Sequence, residues 1–254
     1  MLGAAVLCAS CRDRQRTTPA NSRIPSGGVD RRAGRSRRPQ TAEEALEELW
    51  QGNARFVAGR PRHPDENEAW RNRLVQEQHP FVTLLGCSDS RIPPELLFDQ
   101  GFGDIFVVRV AGNVLDPCIE GRIEYGVQHL HTPLLLVLGH EDCGAVKAAL
   151  ASAAEKSHEP PEIQSLVRAI EPGLRGLDRT GSPDALIHAG VEANVRRVVD
   201  ELSQLPTLTQ PIREGKLAIL GAVYVLETGE VRRLPGAPIG VGHQDDALGS
   251  SDRP

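Results

Sequence analysis

A chain of 254 residues with 39% hydrophobic and 25% charged residues has enough apolar side chains to bury one large core, and it has no apolar run long enough to span a bilayer. The formal net charge of −5 is unevenly distributed, because residues 1–39 hold nine Arg and two acidic residues and the rest of the chain therefore carries −12. An acidic core is a poor partner for a polyanion, so we expect the core to bind no nucleic acid.

The Arg-rich segment of residues 1–39 is interpreted as a disordered or cleaved leader, and contact of this segment with nucleic acid or anionic lipid stays open. Its composition also fits an organelle transit peptide. The order Cys-Ala-Ser-Cys at residues 8–11 loosely resembles a lipoprotein processing site. We take the cytoplasm as the default compartment. An exported or lipid-anchored form, reached through a truncated N-terminal signal, is the alternative.

The first predicted element is a helix over residues 42–57. Thr41 is a suitable N-cap, and Glu44 three residues later completes a capping box. Apolar residues then recur mainly on one face of the helix. That face is interpreted as a packing surface. It is also a candidate contact with a second subunit, because a helix ahead of the main sheet has little core of its own to cover.

Apolar runs typical of buried strands alternate with helical segments along the rest of the chain. The sequence therefore predicts an α/β fold with a mainly parallel central sheet flanked by helices and an N-terminal helical arm. About four parallel strands are followed by an antiparallel edge strand. We place the domain at residues 40–235 and a loose polar tail at 236–254. Strands are predicted at residues 81–86, 104–110, 134–138, 217–226 and 231–234, and helices at 65–78, 95–98, 121–130, 145–151, 160–177 and 185–205.

Polar side chains follow two of the predicted strands at the point where each strand ends. Cys87, Asp89 and Arg91 come directly after the first strand, and His140 and Cys143 follow the third. Parallel strands end at the same edge of a sheet, which is where open α/β sheets place their sites. We therefore expect Cys87, His140 and Cys143 to converge.

Two thiolates and one imidazole are donors that suit zinc. Three protein ligands leave a fourth tetrahedral position for water, as in catalytic zinc sites. Two thiolates also cancel the charge of the dication. The neutral centre should lower the pKa of its water less than a centre held by three His, so we expect activity to favour alkaline pH.

Asp89 and Arg91 are the candidate catalytic residues beside this metal. A guanidinium next to a carboxylate keeps the carboxylate ionised and oriented. Asp89 then either accepts a hydrogen bond from the metal-bound water or moves in to occupy the fourth position itself. Glu141 and Asp142, which lie between two proposed ligands, are expected to face solvent.

Other interpretations of the same residues stay open. A single Cys after a strand is often a small buried hydrophobe. Cys87 and Cys143 also fit a redox pair, although no Cys-x-x-Cys is present and that role leaves His140 unused. Asp89 and Arg91 also fit a structural ion pair in a loop.

Taken together, these motifs resemble the β-class carbonic anhydrases. The likeness covers roughly residues 41–235, and the joint order of the motifs is more specific than any one of them. The stretches that carry it are Cys-Ser-Asp-Ser-Arg at 87–91, Pro-Pro-Glu at 93–95, the run ending in Arg-Val-Ala-Gly-Asn at 106–113, Gly-His-Glu-Asp-Cys-Gly at 139–144, the helix at 45–59 and the last core strand at 221–229.

The resemblance implies Zn²⁺ bound by Cys87, His140 and Cys143, an Asp89–Arg91 dyad, and reversible hydration of carbon dioxide to bicarbonate by attack of zinc-bound hydroxide. It makes residues 40–235 the catalytic domain. It also implies a homodimer or a higher homo-oligomer, with the active site near the dimer interface. The acidic pair Glu141–Asp142 departs from the family pattern, as does the Arg-rich leader.

Two further functions are compatible with the same motifs. One is hydrolysis of a related small molecule such as carbon disulfide or carbonyl sulfide, which the same chemistry would attack. The other is a non-catalytic module that binds bicarbonate or zinc. The intact dyad and the Pro-Pro-Glu context favour carbon dioxide hydration over both.

Overall fold

The computed structural model describes residues 38–236 and residue 240. The predicted leader and the predicted tail, apart from the residues at their boundaries, lie outside the described part. The domain limits therefore stay predictions. Among the described helices, none combines the length and the hydropathy that crossing a bilayer requires.

A five-stranded sheet forms the centre of the described region, in the strand order β2-β1-β3-β4-β5. The first four strands are parallel to their neighbours, and β5 pairs with β4 antiparallel. The predicted α/β class and the antiparallel edge strand are both confirmed. The strands are β1 (Val82–Gly86), β2 (Ile105–Arg109), β3 (Leu134–His140), β4 (Ala218–Tyr224) and β5 (Val231–Arg233).

The register of the central strands brings the two predicted motifs to one edge of the sheet. Gly86, the last residue of β1, lies opposite Arg109 of β2 and Leu138 of β3. Every residue of β1, β3 and β4 is buried. Successive side chains of a strand point to opposite faces, so both faces of these strands are covered. This burial explains why the strands appear in the sequence as continuous apolar runs.

Nine α-helices accompany the sheet in the described region. Two short 3₁₀ turns, Ala111–Asn113 and Glu171–Leu174, complete the regular structure. The helices are α1 (Ala42–Val57), α2 (Glu68–Arg73), α3 (Pro94–Leu97), α4 (Pro117–Gln128), α5 (Gly144–Leu150), α6 (Ala153–Ser157), α7 (Pro161–Ile170), α8 (Pro183–Ser203) and α9 (Pro206–Arg213).

The start of α1 follows the capping prediction only in part. The hydroxyl of Thr41 accepts a hydrogen bond from the backbone N–H of Glu44, at 3.2 Å, as expected. The Glu44 carboxylate, however, accepts from the backbone N–H of Gln40, at 2.7 Å. In a standard capping box, the carboxylate of the third helical residue accepts from the N–H of the N-cap residue, which is Thr41 here. The Glu44 carboxylate instead accepts from the residue before the N-cap.

Several predicted boundaries differ from the structure. The helix predicted over 65–78 is reduced to α2, and the segment predicted over 160–177 divides after Ile170, where α7 gives way to the 3₁₀ turn that begins at Glu171. The start of α4 lies four residues before the predicted one, since Asp116 caps it through the N–H groups of Cys118 and Ile119. Helices α6 and α9 were not predicted.

Helix α8 packs closely on β3 and β4 because both strands present glycine to it. A Cβ atom built on Gly139 would approach Cγ2 of Val195 to 2.6 Å, and one on Gly221 would approach Cγ1 of the same residue to 2.8 Å. Gly139 directly precedes His140. The close approach therefore places α8 beside the end of β3 that carries a predicted metal ligand.

Candidate metal centre

Cys87 leaves the end of β1 in a loop that β2 holds in place. The Arg109 guanidinium donates to the carbonyl oxygen of Cys87 through Nε, at 2.9 Å, and to that of Asp89 through Nη2, at 2.5 Å. The Cys87 side chain is buried, with 5% of the residue exposed. A single side chain from the neighbouring strand therefore fixes the backbone on both sides of Ser88.

His140 is the last residue of β3, whereas the sequence placed it in the following loop. The residue is completely buried. Its Nδ1 lies 2.8 Å from the carbonyl oxygen of Glu141. A carbonyl oxygen only accepts, so Nδ1 carries the hydrogen of the neutral ring and Nε2 carries the lone pair. Within residues 38–236, Nε2 has no hydrogen-bond partner.

Cys143 precedes α5 as its N-cap residue and is also buried. The N–H groups of Ala145 and Val146, in the first turn of α5, lower the pKa of the Cys143 thiol, but the neighbouring Cys87 and burial outweigh them and the net shift is upward. The sulfur atoms of Cys87 and Cys143 and a ring nitrogen of His140 lie within 4.8 Å of one another. The convergence predicted from the two strand ends is therefore present in the structure.

The two buried thiols interact strongly. The neighbouring Cys143 thiol lowers the pKa of Cys87, burial opposes this effect, and the Gly112 N–H makes a smaller contribution that also lowers it. The same contact, followed by burial, raises the pKa of Cys143. The first thiolate therefore forms readily, while the second negative charge is opposed until a positive charge joins the pair.

Asp89 and Arg91 form a two-point ion pair beside this cluster. Oδ1 of Asp89 accepts from Nε of Arg91 at 2.9 Å and from the Arg91 backbone N–H at 2.9 Å, and Oδ2 accepts from Nη2 at 2.7 Å. The Arg91 guanidinium holds the pKa of Asp89 well below its usual range. Oδ2 also lies 3.9 Å from Nε2 of His140, so the ionised carboxylate borders the three buried donors.

The acidic residues between His140 and Cys143 have defined partners. Oδ2 of Asp142 lies 3.8 Å from Nη1 of Arg91, and Oδ1 contacts the Lys147 ammonium. Oε1 of Glu141 lies 3.8 Å from Nδ1 of His188 and 3.6 Å from Nη2 of Arg232. The expected solvent exposure is confirmed for Asp142, whose side chain is 52% exposed, whereas the Glu141 side chain is only 29% exposed. The charge of Asp142 also lies beside the dyad.

The 3₁₀ turn after β2 supports the site in a way that the sequence did not predict. The Gly112 N–H donates to the Cys87 sulfur at 3.4 Å. The side-chain amide of Asn113 donates to the carbonyl oxygens of Leu85, at 3.3 Å, and Leu138, at 2.6 Å. This amide therefore joins β1 to β3 just before their site residues. The only signal in the sequence was a Gly-Asn pair after a strand.

The donor set fits a zinc ion. Tetrahedral zinc, with Zn–S of about 2.3 Å and Zn–N of about 2.0 Å, separates its ligand atoms by roughly 3.5–3.8 Å. Three donors within 4.8 Å of one another reach that spacing through small side-chain movements. A dication would accept the buried lone pair of His140 Nε2, which has no partner in the described residues. It would also balance the negative charge that forms when the second thiol, Cys143, loses its proton.

Comparison with known proteins finds a matching family and similar sequences and folds. The family model described as carbonic anhydrase matches residues 82–231. The carbonic anhydrase of Mycolicibacterium smegmatis is 40% identical over 199 residues, which cover 76% of this chain and 92% of that protein.

Two solved structures extend the comparison to the fold. The β-carbonic anhydrase of Coccomyxa, solved in complex with acetazolamide, is 26% identical with a TM-score of 0.59, and the match covers 78% of this chain and 85% of that one. One of two tetrameric β-carbonic anhydrases from Sordaria macrospora is similar in fold, at 22% identity and a TM-score of 0.61, over 76% and 95% of the two chains. The chain described here belongs to the β-class carbonic anhydrase family.

Proposed function

We propose that the protein catalyses the reversible hydration of carbon dioxide to bicarbonate and a proton, with a zinc ion held by Cys87, His140 and Cys143. The observation that carries this proposal is the convergence of three buried donors beside an ionised Asp89. When bound, zinc supplies a Lewis acid that lowers the pKa of a water molecule. The two thiolates cancel the charge of the zinc ion, and a neutral centre lowers the pKa of its water less than a positively charged one. The hydration activity should therefore rise toward alkaline pH.

His140 and Cys143 present their donor atoms through local backbone contacts. The carbonyl oxygen of Glu141 fixes the His140 tautomer with the hydrogen on Nδ1, so Nε2 offers its lone pair to a metal ion held by the two sulfurs. Cys143 lies directly at the start of α5, and the N-terminus of a helix favours a negative charge on its sulfur. The local backbone therefore positions both donor atoms.

Asp89 is the proposed catalytic carboxylate, and Arg91 is its positioning residue. Hydration joins the oxygen of water to the carbon of carbon dioxide and releases one proton. Because the pKa of Asp89 is held so low, its carboxylate is a poor proton acceptor but a permanent hydrogen-bond acceptor. We therefore assign Asp89 the orientation of the reacting water, while the proton leaves to buffer.

The protein is further proposed to act as a homodimer or a higher homo-oligomer. Strand β2 is an edge strand of the sheet in the described region, and Phe106 of this strand packs on Tyr125, whose ring centroid is 5.9 Å away. Tyr125 is 46% exposed, and Leu96 of α3 and Phe102 of the loop before β2 are 52% and 50% exposed. Exposed apolar groups beside an open edge favour association. Analytical ultracentrifugation that finds only monomers would reject this assignment.

The compartment is likewise a proposal, and we retain the cytoplasm. Cell fractionation of the native organism, with detection of the intact chain, tests it directly. Recovery in the membrane fraction after lipid labelling would favour the alternative based on Cys8 and Cys11.

The metal assignment is tested by zinc stoichiometry in matched cysteine variants. Cys143→Ser removes a proposed ligand, whereas Cys118→Ser changes an exposed thiol on α4. We expect about one zinc ion per chain in the unmodified protein and in Cys118→Ser, and a clear loss of both zinc and carbon dioxide hydration in Cys143→Ser. A folded, unmodified protein that takes up no zinc would overturn the proposed function.

A further inference from the structure

Asn194 is a buried amide on α8 that contacts the metal centre only through another residue. It is 2% exposed. Its Nδ2 donates to the carbonyl oxygen of Gly112 at 2.7 Å, across 82 positions of sequence. In the described part of the chain, its Oδ1 has no hydrogen-bond partner. A buried amide with one unsatisfied end is a costly way to stabilise a helix.

Gly112 connects this amide to a proposed zinc ligand. Its N–H donates to the Cys87 sulfur, and its carbonyl oxygen accepts from Asn194. The residue has a φ of +69°, in the left-handed region, and a Cβ there would approach Cδ1 of Ile170 to 2.6 Å. Glycine has many backbone conformations available. An external contact is therefore needed to keep this N–H directed at the sulfur.

We propose that Asn194 is a positioning residue that holds the Gly112 N–H on the Cys87 sulfur and thereby strengthens metal binding. The inference rests on the proposed function, because it concerns the same zinc site. A hydrogen bond to a thiolate stabilises its negative charge and fixes the direction of the sulfur. The Gly112 N–H belongs to the peptide before this residue and its carbonyl oxygen to the peptide after it, so Asn194 acts on the N–H through the φ and ψ angles of Gly112. Loss of the Asn194 amide frees these angles, which weakens the bond to sulfur without touching any of the three ligands.

Two variants remove the amide in different ways. Asn194→Leu replaces it with an apolar side chain of similar size, and Asn194→Ala removes it altogether. Val198→Ala is the matched control, since Val198 is a completely buried core residue one turn further along α8. The control loosens the packing of the same helix and leaves the Asn194–Gly112 contact in place.

The readout is metal binding, measured with cobalt(II) and with zinc. Zinc affinity is obtained by competition with a chromogenic chelator, and the sulfur-to-cobalt charge-transfer band is recorded in the near ultraviolet. We expect both Asn194 variants to bind zinc on the order of 10-fold more weakly than the unmodified protein. Their cobalt band should move to longer wavelength, because a thiolate without the N–H contact is more easily oxidised. Val198→Ala should lower the thermal unfolding temperature and leave the band unchanged.

The outcomes separate this inference from the proposed function. Asn194 variants with the zinc affinity and the cobalt band of the unmodified protein would overturn the inference alone. A shift of the same size in Val198→Ala would also overturn it, since the effect would then come from helix packing. An unmodified protein that binds neither metal would overturn both proposals.

Discussion

The Nε atom of Arg109 lies 2.9 Å from the carbonyl oxygen of Cys87, and Nη2 of the same guanidinium lies 2.5 Å from that of Asp89. Strand β2 therefore holds a proposed metal ligand and the proposed catalytic carboxylate with one side chain. Both bonds use the planar fork that distinguishes Arg from Lys.

Arg109→Lys should reduce carbon dioxide hydration while preserving the metal. A single ammonium cannot reproduce both bonds, so the loop shifts relative to Cys87. A displacement of about 1 Å at a reacting group costs on the order of 10- to 100-fold in kcat/KM. Stopped-flow hydration assays with parallel zinc analysis measure the effect. The control is Arg122→Lys, at an exposed position of α4. Equal rates in the two variants would show that Arg109 does not position the loop.

Asp89→Ala should retain zinc and lose most of its activity. The carboxylate is bound at two points by Arg91 and is therefore assigned to the reacting water and not to the metal. Loss of a positioned hydrogen-bonding group at the reacting atoms costs about 100-fold or more in kcat. Elemental analysis and hydration rates are both required. Loss of zinc from the variant would place Asp89 among the metal ligands instead.

Asp99 should contribute to stability in a pH-dependent way. This buried residue accepts from Nε of Arg55 at 2.5 Å and from the backbone N–H groups of Arg62 and His63, each at 2.9 Å. Burial raises the pKa of Asp99, but these bonds outweigh it, and the net shift is downward. Asn tolerates the positive φ of 47° at this position, so Asp99→Asn removes mainly the charge. We expect a cost of about 1–3 kcal/mol at pH 7.

The difference in stability between the unmodified protein and Asp99→Asn should shrink on acidification. The folded pKa lies below the unfolded value of about 3.9, so the unfolded chain takes up the proton first as the pH falls. The contribution is complete above about pH 5 and is lost as the pH falls through 3.9 toward the folded pKa. Urea unfolding at both ends of this range measures it, with exposed Asp200→Asn as the control. A difference that stays constant or grows would contradict the ion-pair explanation.

Replacing two helical glycines by alanine should change the stability of the protein in opposite directions. A methyl group on Gly52 of α1 would overlap the carbonyl oxygen of Phe98, whereas one on Gly121 of α4 would meet open space. Gly52→Ala should therefore cost about 3 kcal/mol. Gly121→Ala should stabilise the protein by roughly 0.5–1 kcal/mol, because alanine has the higher helix propensity. Thermal unfolding of the pair tests this packing. A stable Gly52→Ala variant would mean that α1 does not pack closely on the segment after α3.

The sheet and the convergence of the three donor side chains were predictable because they depend on local patterns. The continuous apolar runs that became β1, β3 and β4 identify buried parallel strands, and the alternation of strands with helices gives the class. Parallel strands end at one edge, so Cys87, His140 and Cys143 were expected to converge. The capping of α1 by Thr41 also depends on neighbouring residues only.

The supporting contacts were not predictable, because their partners are distant in sequence. Arg109 and Cys87 are 22 positions apart, Asn113 and Leu138 are 25 apart, and Asn194 and Gly112 are 82 apart. No periodicity or spacing rule relates such pairs. Helix α9 was missed for a local reason, since it begins at Pro206 and contains Pro211, and proline usually signals the end of a helix.

Stopped-flow measurement of carbon dioxide hydration by the zinc-loaded protein, from pH 7 to pH 9.5, tests the central claim most directly. A neutral centre with two thiolates predicts chelator-sensitive turnover that is low near pH 7 and rises through pH 8.5 as the zinc-bound water ionises. A flat or falling profile would contradict the neutral centre. Absence of turnover across the whole range, in a protein shown to hold zinc, would contradict the assignment of carbon dioxide as its substrate.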